Sequence, residues 1–229
     1  MPDKNNSSIL LMPGFDGTGE LFNPLQEVLG IDATVVRYRD EYVFDDYVES
    51  VASLLPAENA ILIAESFSGP VALALMAKYP ARIKCAVLCV TFAISPFRLF
   101  ANLSRFVPPI FFGPNPAQKA MVEMFCLGED GDPELVSKAL AVIRSVPAET
   151  IKSRLEVLAD VDMRPLLGGI TTPTLYIQAL QDEIVSPELS QEVVQELPNC
   201  DLCKISGPHL LLQSKPKECA KAIRSFIDY

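Results

Sequence analysis

Six short runs rich in apolar and β-branched residues recur along the chain: Ile9 to Met12, Thr34 to Tyr38, Ala60 to Ala64, Ile83 to Thr91, Pro173 to Leu180 and Asp201 to Ile205. Several are apolar without alternation, which is how a strand covered on both faces reads. Helix-like stretches fall between them, at Leu21–Leu29, Asp45–Leu55, Pro70–Lys78, Pro187–Leu197 and Pro216–Ile227. Strands alternating with helices imply parallel βαβ units. The expected fold is α/β, a three-layer α/β/α sandwich around a mostly parallel sheet of about six strands.

One interval breaks the rhythm. From about Phe92 to Pro165 no strand is expected, only helical patterns and a stretch dense in aromatics and prolines, Pro96-Phe97 through Phe111-Phe112-Gly113-Pro114. This predicts a core built from residues 1–91 and 166–229, with 92–165 inserted as a helical lid. Its helices are expected around Pro116–Phe125, Pro133–Arg144 and Ala148–Leu158, with apolar faces to pack on the sheet edge and line a pocket.

Composition narrows the functional classes. A chain of 229 residues with 49% hydrophobic and 21% charged content is long enough for one large core. The net charge of −10 is spread along the sequence, which argues against nucleic acid as a partner. The start, Met1 to Ser8, is polar and runs straight into Ile9, so no signal peptide is expected. No apolar run approaches the roughly 20 residues that cross a bilayer, and the expected location is cytoplasmic. The six cysteines read as free thiols, Cys85, Cys89 and Cys219 in apolar runs. Cys200-Asp201-Leu202-Cys203 has metal-site spacing, but on a strand its thiols would point to opposite faces, and no second ligand pair exists. No metal is expected.

The chemistry centres on a strand, a turn and a helix. Ala60–Ala64 leads into Glu65-Ser66-Phe67-Ser68-Gly69 and then the helix-like Pro70–Lys78. A serine at such a turn has its hydroxyl held out of the sheet, and the turn admits only small residues two before and two after it. Ala64 and Ser68 meet that requirement for Ser66, whereas a nucleophilic Ser68 would place Pro70 there. Glu65 reads as a partly solvated turn residue, with a pocket-lining acid as the alternative. A serine needs a base, and the base needs an orienting acid. His209 is the sole histidine, so any imidazole chemistry near neutral pH rests on it. Asp182 lies where Pro173–Leu180 ends, at the carboxyl end of an expected strand, and Glu183 and Asp162 are the alternative acids. The oxyanion donors would be the backbone N–H groups of Phe67 and of Phe15, the latter in Pro13-Gly14-Phe15-Asp16-Gly17-Thr18-Gly19. That loop has neither the glycine spacing nor the lysine of a nucleotide-binding loop.

Over nearly its whole length the chain resembles the α/β-hydrolase superfamily. The resemblance rests on Pro13-Gly14-Phe15-Asp16-Gly17, Ala64-Glu65-Ser66-Phe67-Ser68-Gly69, Gln181-Asp182-Glu183-Ile184-Val185 with Pro187, and Gly207-Pro208-His209, in that order. It implies a Ser66 nucleophile, a His209 base, an Asp182 orienter and a lid between the family's sixth and seventh strands. Two departures stand out. The elbow lacks both usual glycines, and the chain starts at what looks like the family's third strand, without the antiparallel edge. The implied activity is cleavage of carboxylic esters or thioesters through an acyl-enzyme, with an apolar acyl or alcohol pocket and no cofactor. Acyl transfer through the same intermediate, and a non-catalytic ligand receptor on the same fold, are the alternatives.

Overall fold

The computed structural model describes residues 8–39, 41–96, 98, 102–103, 105–128 and 131–227. The polar start of the chain before Ser8, and Phe97 of the aromatic stretch, lie outside the described residues. Six strands form one sheet: β1 (Ser8–Met12), β2 (Ala33–Val35), β3 (Ala60–Glu65), β4 (Ile83–Cys89), β5 (Thr174–Ala179) and β6 (Cys200–Ile205), in the order β2-β1-β3-β4-β5-β6. Every pairing is parallel.

The unalternating runs now have a physical reason. Along β1, Leu10 and Met12 join one hydrophobic cluster while Ile9 and Leu11 join the other, and β3 divides in the same way between Leu62 and Ile63. The first cluster is closed by α2 (Phe44–Ala52), α3 (Ser68–Lys78) and α8 (Pro187–Glu196), through residues such as Val48, Leu73 and Val193. The second is closed by α1 (Asn23–Leu29) and α10 (Pro216–Ile227), which bring Leu25, Cys219 and Ile223. Each fully buried aliphatic side chain contributes roughly 1.5–3 kcal/mol of transfer free energy, so the central strands carry most of the hydrophobic stabilisation. The edge strand β6 is different, with exposed Asp201 and Lys204 that discourage further pairing. Its two cysteines pack on opposite faces, Cys200 against the first cluster and Cys203 against the second. All six cysteines are free.

The order of strands fixes where a site can form. From β1 the chain crosses to β2 on one side, and from β3 onward it builds on the other. The carboxyl ends of β1 and β3 therefore diverge into a crevice. Most boundaries shift by one to three residues from the sequence expectation, and two of the shifts have a visible cause. Strand β2 ends at Val35, yet Val36 still donates to Leu11 (2.8 Å) and Tyr38 to Gly17 (2.9 Å), so the segment expected as strand instead braces the loop after β1. Strand β4 stops at Cys89 because Val90 takes a left-handed φ of 47°.

Between β4 and β5 the described residues are mainly helical, with α4 (Ala117–Met121), α5 (Pro133–Ser145), α6 (Ala148–Asp160) and α7 (Arg164–Leu167). A single antiparallel bridge joins Ile94 to Asp162 at the base. The helix expected over Pro116–Phe125 widens after Met121 into a π-helical segment, Val122–Leu127. No helix among the described residues is long and apolar enough to cross a membrane. A short α9 (Leu211–Ser214) follows β6 and leads to α10.

Candidate active site

Ser66 sits at the turn from β3 to α3 with a φ of 47°. A left-handed conformation in a non-glycine residue costs on the order of 1–3 kcal/mol and persists only where the surroundings impose it. Here they do. The Ser66 N–H donates to Cys89 O (3.0 Å), and its carbonyl accepts from the Gly69 N–H (2.9 Å) and from the Thr91 hydroxyl (2.6 Å). Gly69 is the indispensable glycine of this turn, because a Cβ there would lie 1.8 Å from Thr91 Oγ1. Helix α3 begins at Ser68, so Pro70 falls in its first turn, where a missing N–H loses no helical bond.

The three predicted side chains meet. His209 Nε2 lies 2.9 Å from Ser66 Oγ, and His209 Nδ1 lies 2.9 and 3.0 Å from the two oxygens of Asp182. Asp182 Oδ1 also accepts the Ile184 and Val185 N–H groups, at 2.8 and 2.9 Å, which fixes the carboxylate at the end of β5. A carboxylate on Nδ1 keeps the proton there and leaves Nε2 free to accept from the serine hydroxyl. Both side chains are nearly sealed from solvent. The loops after β5 and β6 are tied by the Gln181 N–H to Gly207 O at 3.0 Å. Of the alternative acids, Asp162 is paired with Arg164, and Glu183 makes no contact with the imidazole.

Ser68, which stands where a glycine is usual, earns its place through its hydroxyl. It donates to Pro13 O and accepts from Tyr38 OH (2.8 Å), fastening the loop after β1 to the start of α3. That loop carries Phe15, whose ring meets the Phe67 ring edge-on at 6.1 Å. Among the described residues, no hydrogen bond uses the backbone N–H of Phe15 or Phe67. Both residues line the same cavity as Ser66 and His209.

The reading of Glu65 as a solvated turn residue is wrong. It is the last residue of β3, 4% exposed, and borders the cavity. Its Oε2 accepts from Gln213 Nε2 (3.2 Å), and its Oε1 has no partner. Burial pushes its carboxyl up to about 8, with Gln213 opposing the shift and Asp16 adding to it. A neutral acid is therefore stored beside the serine. The sequence carried no signal for this: the apolar run ends at Ala64, while the strand buried on both faces runs one residue further.

The cavity over Ser66 and His209 has a volume of about 390 Å³. Its wall is apolar, formed by Leu21 and Phe92 from the core side and by Phe111, Met121, Phe125 and Leu155 from the helices between β4 and β5.

Sheet order, elbow and the serine–imidazole–carboxylate array define an α/β hydrolase. Residues 36–210 match the Hydrolase_4 family, described as serine aminopeptidase, S33, and the chain belongs to that family. Over 97 residues it is 29% identical to the pimeloyl-[acyl-carrier protein] methyl ester esterase of Photobacterium profundum, a match covering 42% of this chain and 38% of that protein. Among solved structures, the enol-lactonase from Burkholderia xenovorans is similar with a TM-score of 0.84 at 20% identity, covering 98% of this chain and 92% of that one. A hydrolase from Pseudomonas aeruginosa gives 0.86 at 19% identity, covering 99% and 92%. A thermophilic esterase from Thermogutta terrifontis gives 0.80 at 22% identity, covering 97% and 90%.

Proposed function

We propose that the protein is a serine hydrolase that cleaves small-molecule carboxylic esters or thioesters through an acyl-enzyme on Ser66. The observation that carries this is the 2.9 Å contact between Ser66 Oγ and His209 Nε2, with Asp182 on the opposite ring nitrogen, at the base of an apolar cavity. Ser66 Oγ attacks the carbonyl carbon as its proton passes to His209 Nε2. The carbonyl oxygen becomes an oxyanion held by the Phe15 and Phe67 N–H groups. Collapse expels the alcohol or thiol, which takes the proton from His209, and water then repeats the sequence to release the acid. Asp182 keeps the imidazole in register and stabilises its charged form. The helices between β4 and β5 act as a lid whose aromatic wall receives the apolar part of the substrate. The esterase and lactonase activities named for similar proteins support an ester as the bond cleaved.

The test is active-site labelling followed by product analysis. A fluorophosphonate should label Ser66 in the wild type and nothing in Ser66→Ala. Labelling that survives the substitution overturns the assignment. A competing alcohol acceptor then separates hydrolysis from acyl transfer: free acid as the main product supports hydrolysis, and a new ester supports transfer. Binding of an ester without turnover would instead point to a receptor.

A further inference from the structure

Arg154 is among the largest side chains in the protein that are almost wholly buried, at 2% exposure, and it belongs to α6, outside the strands that carry Ser66, Asp182 and His209. Among the described residues it forms no ion pair with a carboxylate. Its hydrogen bonds to backbone dominate, while its charge is felt by the Asp16 carboxyl and the Tyr47 hydroxyl. Nη1 donates to the carbonyls of Phe15 (3.0 Å) and Asp16, and Nη2 donates to the carbonyl of Tyr38 (3.2 Å). Room for it exists only because Gly17 has no side chain: with φ at +68°, a Cβ on Gly17 would lie 2.4 Å from Nη2.

The geometry points to Arg154 as the positioning residue for the oxyanion site: reaching in from the inserted helices, it holds the peptide planes that aim the Phe15 N–H at the reacting carbonyl. This rests on the reading of Phe15 as an oxyanion donor. The Phe15 N–H lies in the plane joining Gly14 to Phe15, and a planar peptide turns only about the bonds flanking it. On the N-terminal side, the Pro13 carbonyl is fixed by the Ser68 hydroxyl. On the C-terminal side, the Phe15 and Asp16 carbonyls are fixed by Arg154. The plane's own carbonyl, Gly14 O, accepts the Gly17 N–H at 3.0 Å, closing a turn whose inner carbonyls, Phe15 and Asp16, are the ones Arg154 holds; without Arg154 that turn, and the amide it aims, is free to flip.

A purely space-filling role does not account for the residue. A buried guanidinium carries a desolvation penalty of several kcal/mol that an aliphatic side chain of similar volume avoids. The donors fan out to carbonyls from two segments, a use for a planar fork of N–H groups that a single ammonium cannot copy. The arrangement also joins the helical insertion to the site where charge develops.

The test compares wild type, Arg154→Met and Arg154→Lys on p-nitrophenyl butyrate and with a trifluoromethyl ketone, which forms a tetrahedral adduct on the serine. Loss of one oxyanion donor lowers kcat by about 100- to 1,000-fold, and loss of its aim should cost Arg154→Met about 30- to 100-fold. KM should stay within about threefold, while the ketone weakens in parallel with kcat. Arg154→Lys keeps the buried charge with a single donor head, so its kcat should lie about tenfold below wild type. It carries the test should Arg154→Met fail to fold. Variants that fold and retain wild-type kcat, or that lose activity through KM alone, overturn the proposal. A wild type that neither turns over the ester nor labels at Ser66 would overturn the proposed function instead, so the two failures are distinguishable.

Discussion

The ends of the strands and the helices inserted between β4 and β5 solve different problems. At the strand ends, Ser66, Asp182 and His209 are each held by several hydrogen bonds, and the backbone around Ser66 is locked from three directions. Where the inserted segment meets the cavity, Arg154 apart, the reverse holds. Phe106, Ile110 and Phe111 are 86%, 81% and 69% exposed, and Met121 and Phe125 border the cavity while remaining partly open to solvent. In the proposed mechanism, nucleophile and base must hold their separation to within fractions of an ångström, whereas an apolar chain would ask only for surface of roughly the right shape. Directional bonds are concentrated where geometry decides rate, and unspecific contacts where only affinity is at stake.

Substitutions of the three side chains that meet at the strand ends should be the most damaging to catalysis while leaving the fold largely intact. Ser66→Ala is expected to lower kcat on p-nitrophenyl esters by about 10⁴-fold or more, with the melting temperature little changed because the backbone bonds that hold the left-handed turn do not use the hydroxyl. Asp182→Asn should lose about 10³- to 10⁴-fold, since an amide at that place favours the wrong imidazole tautomer. If either variant keeps a tenth of wild-type kcat, the division between the two regions collapses. Gly69→Ala tests the lock itself. Its Cβ would be driven into Thr91, so chemical denaturation should show a loss of roughly 3 kcal/mol or more.

A pH-dependent effect comes next in size. The carboxyl of Glu65 is raised from its ordinary 4.5 to about 8 in the folded protein. The folded state therefore binds this proton more tightly than the unfolded one. Its contribution to stability is complete below the ordinary carboxylate range and is lost as pH rises toward 8. Glu65→Gln, which cannot ionise, should gain on wild type by a few kcal/mol between pH 5 and pH 8.5 in denaturant titrations. Parallel stability curves for the two proteins would mean that Glu65 is ionised throughout. The smallest effect belongs to the inserted helices: Phe125→Ala should change the ratio of kcat/KM between hexanoate and acetate esters by roughly tenfold while leaving acetate turnover nearly intact. Equal losses on both esters would assign Phe125 to the chemistry and blur the contrast.

This contrast also explains what could be read from sequence. Buried parallel strands produce unalternating apolar runs, so the six strands were legible to within a few residues, and with them the strand-end positions of Ser66 and Asp182. His209 was legible because it stands alone. Boundaries failed where backbone conformation overrode composition: β4 stops two residues early at left-handed Val90, and the end of the expected second strand became a brace for the loop after β1. Glu65 was misread because a charged residue at a turn is ordinarily solvated, and only the packing of α9 behind it, with Gln213, reveals its burial. Arg154 was illegible for a different reason. Its partners are carbonyls more than a hundred residues away, and backbone acceptors leave no mark on the pattern of side chains.

The π-helical segment Val122–Leu127 has one further consequence. The carbonyl of Cys126 within it accepts the Leu210 N–H at 2.9 Å, one residue beyond His209. One wall of the cavity and the residue next to the imidazole share a backbone bond. A shift of this segment would therefore pull on the imidazole's neighbour, which makes the Cys126 side the wall least free to adjust.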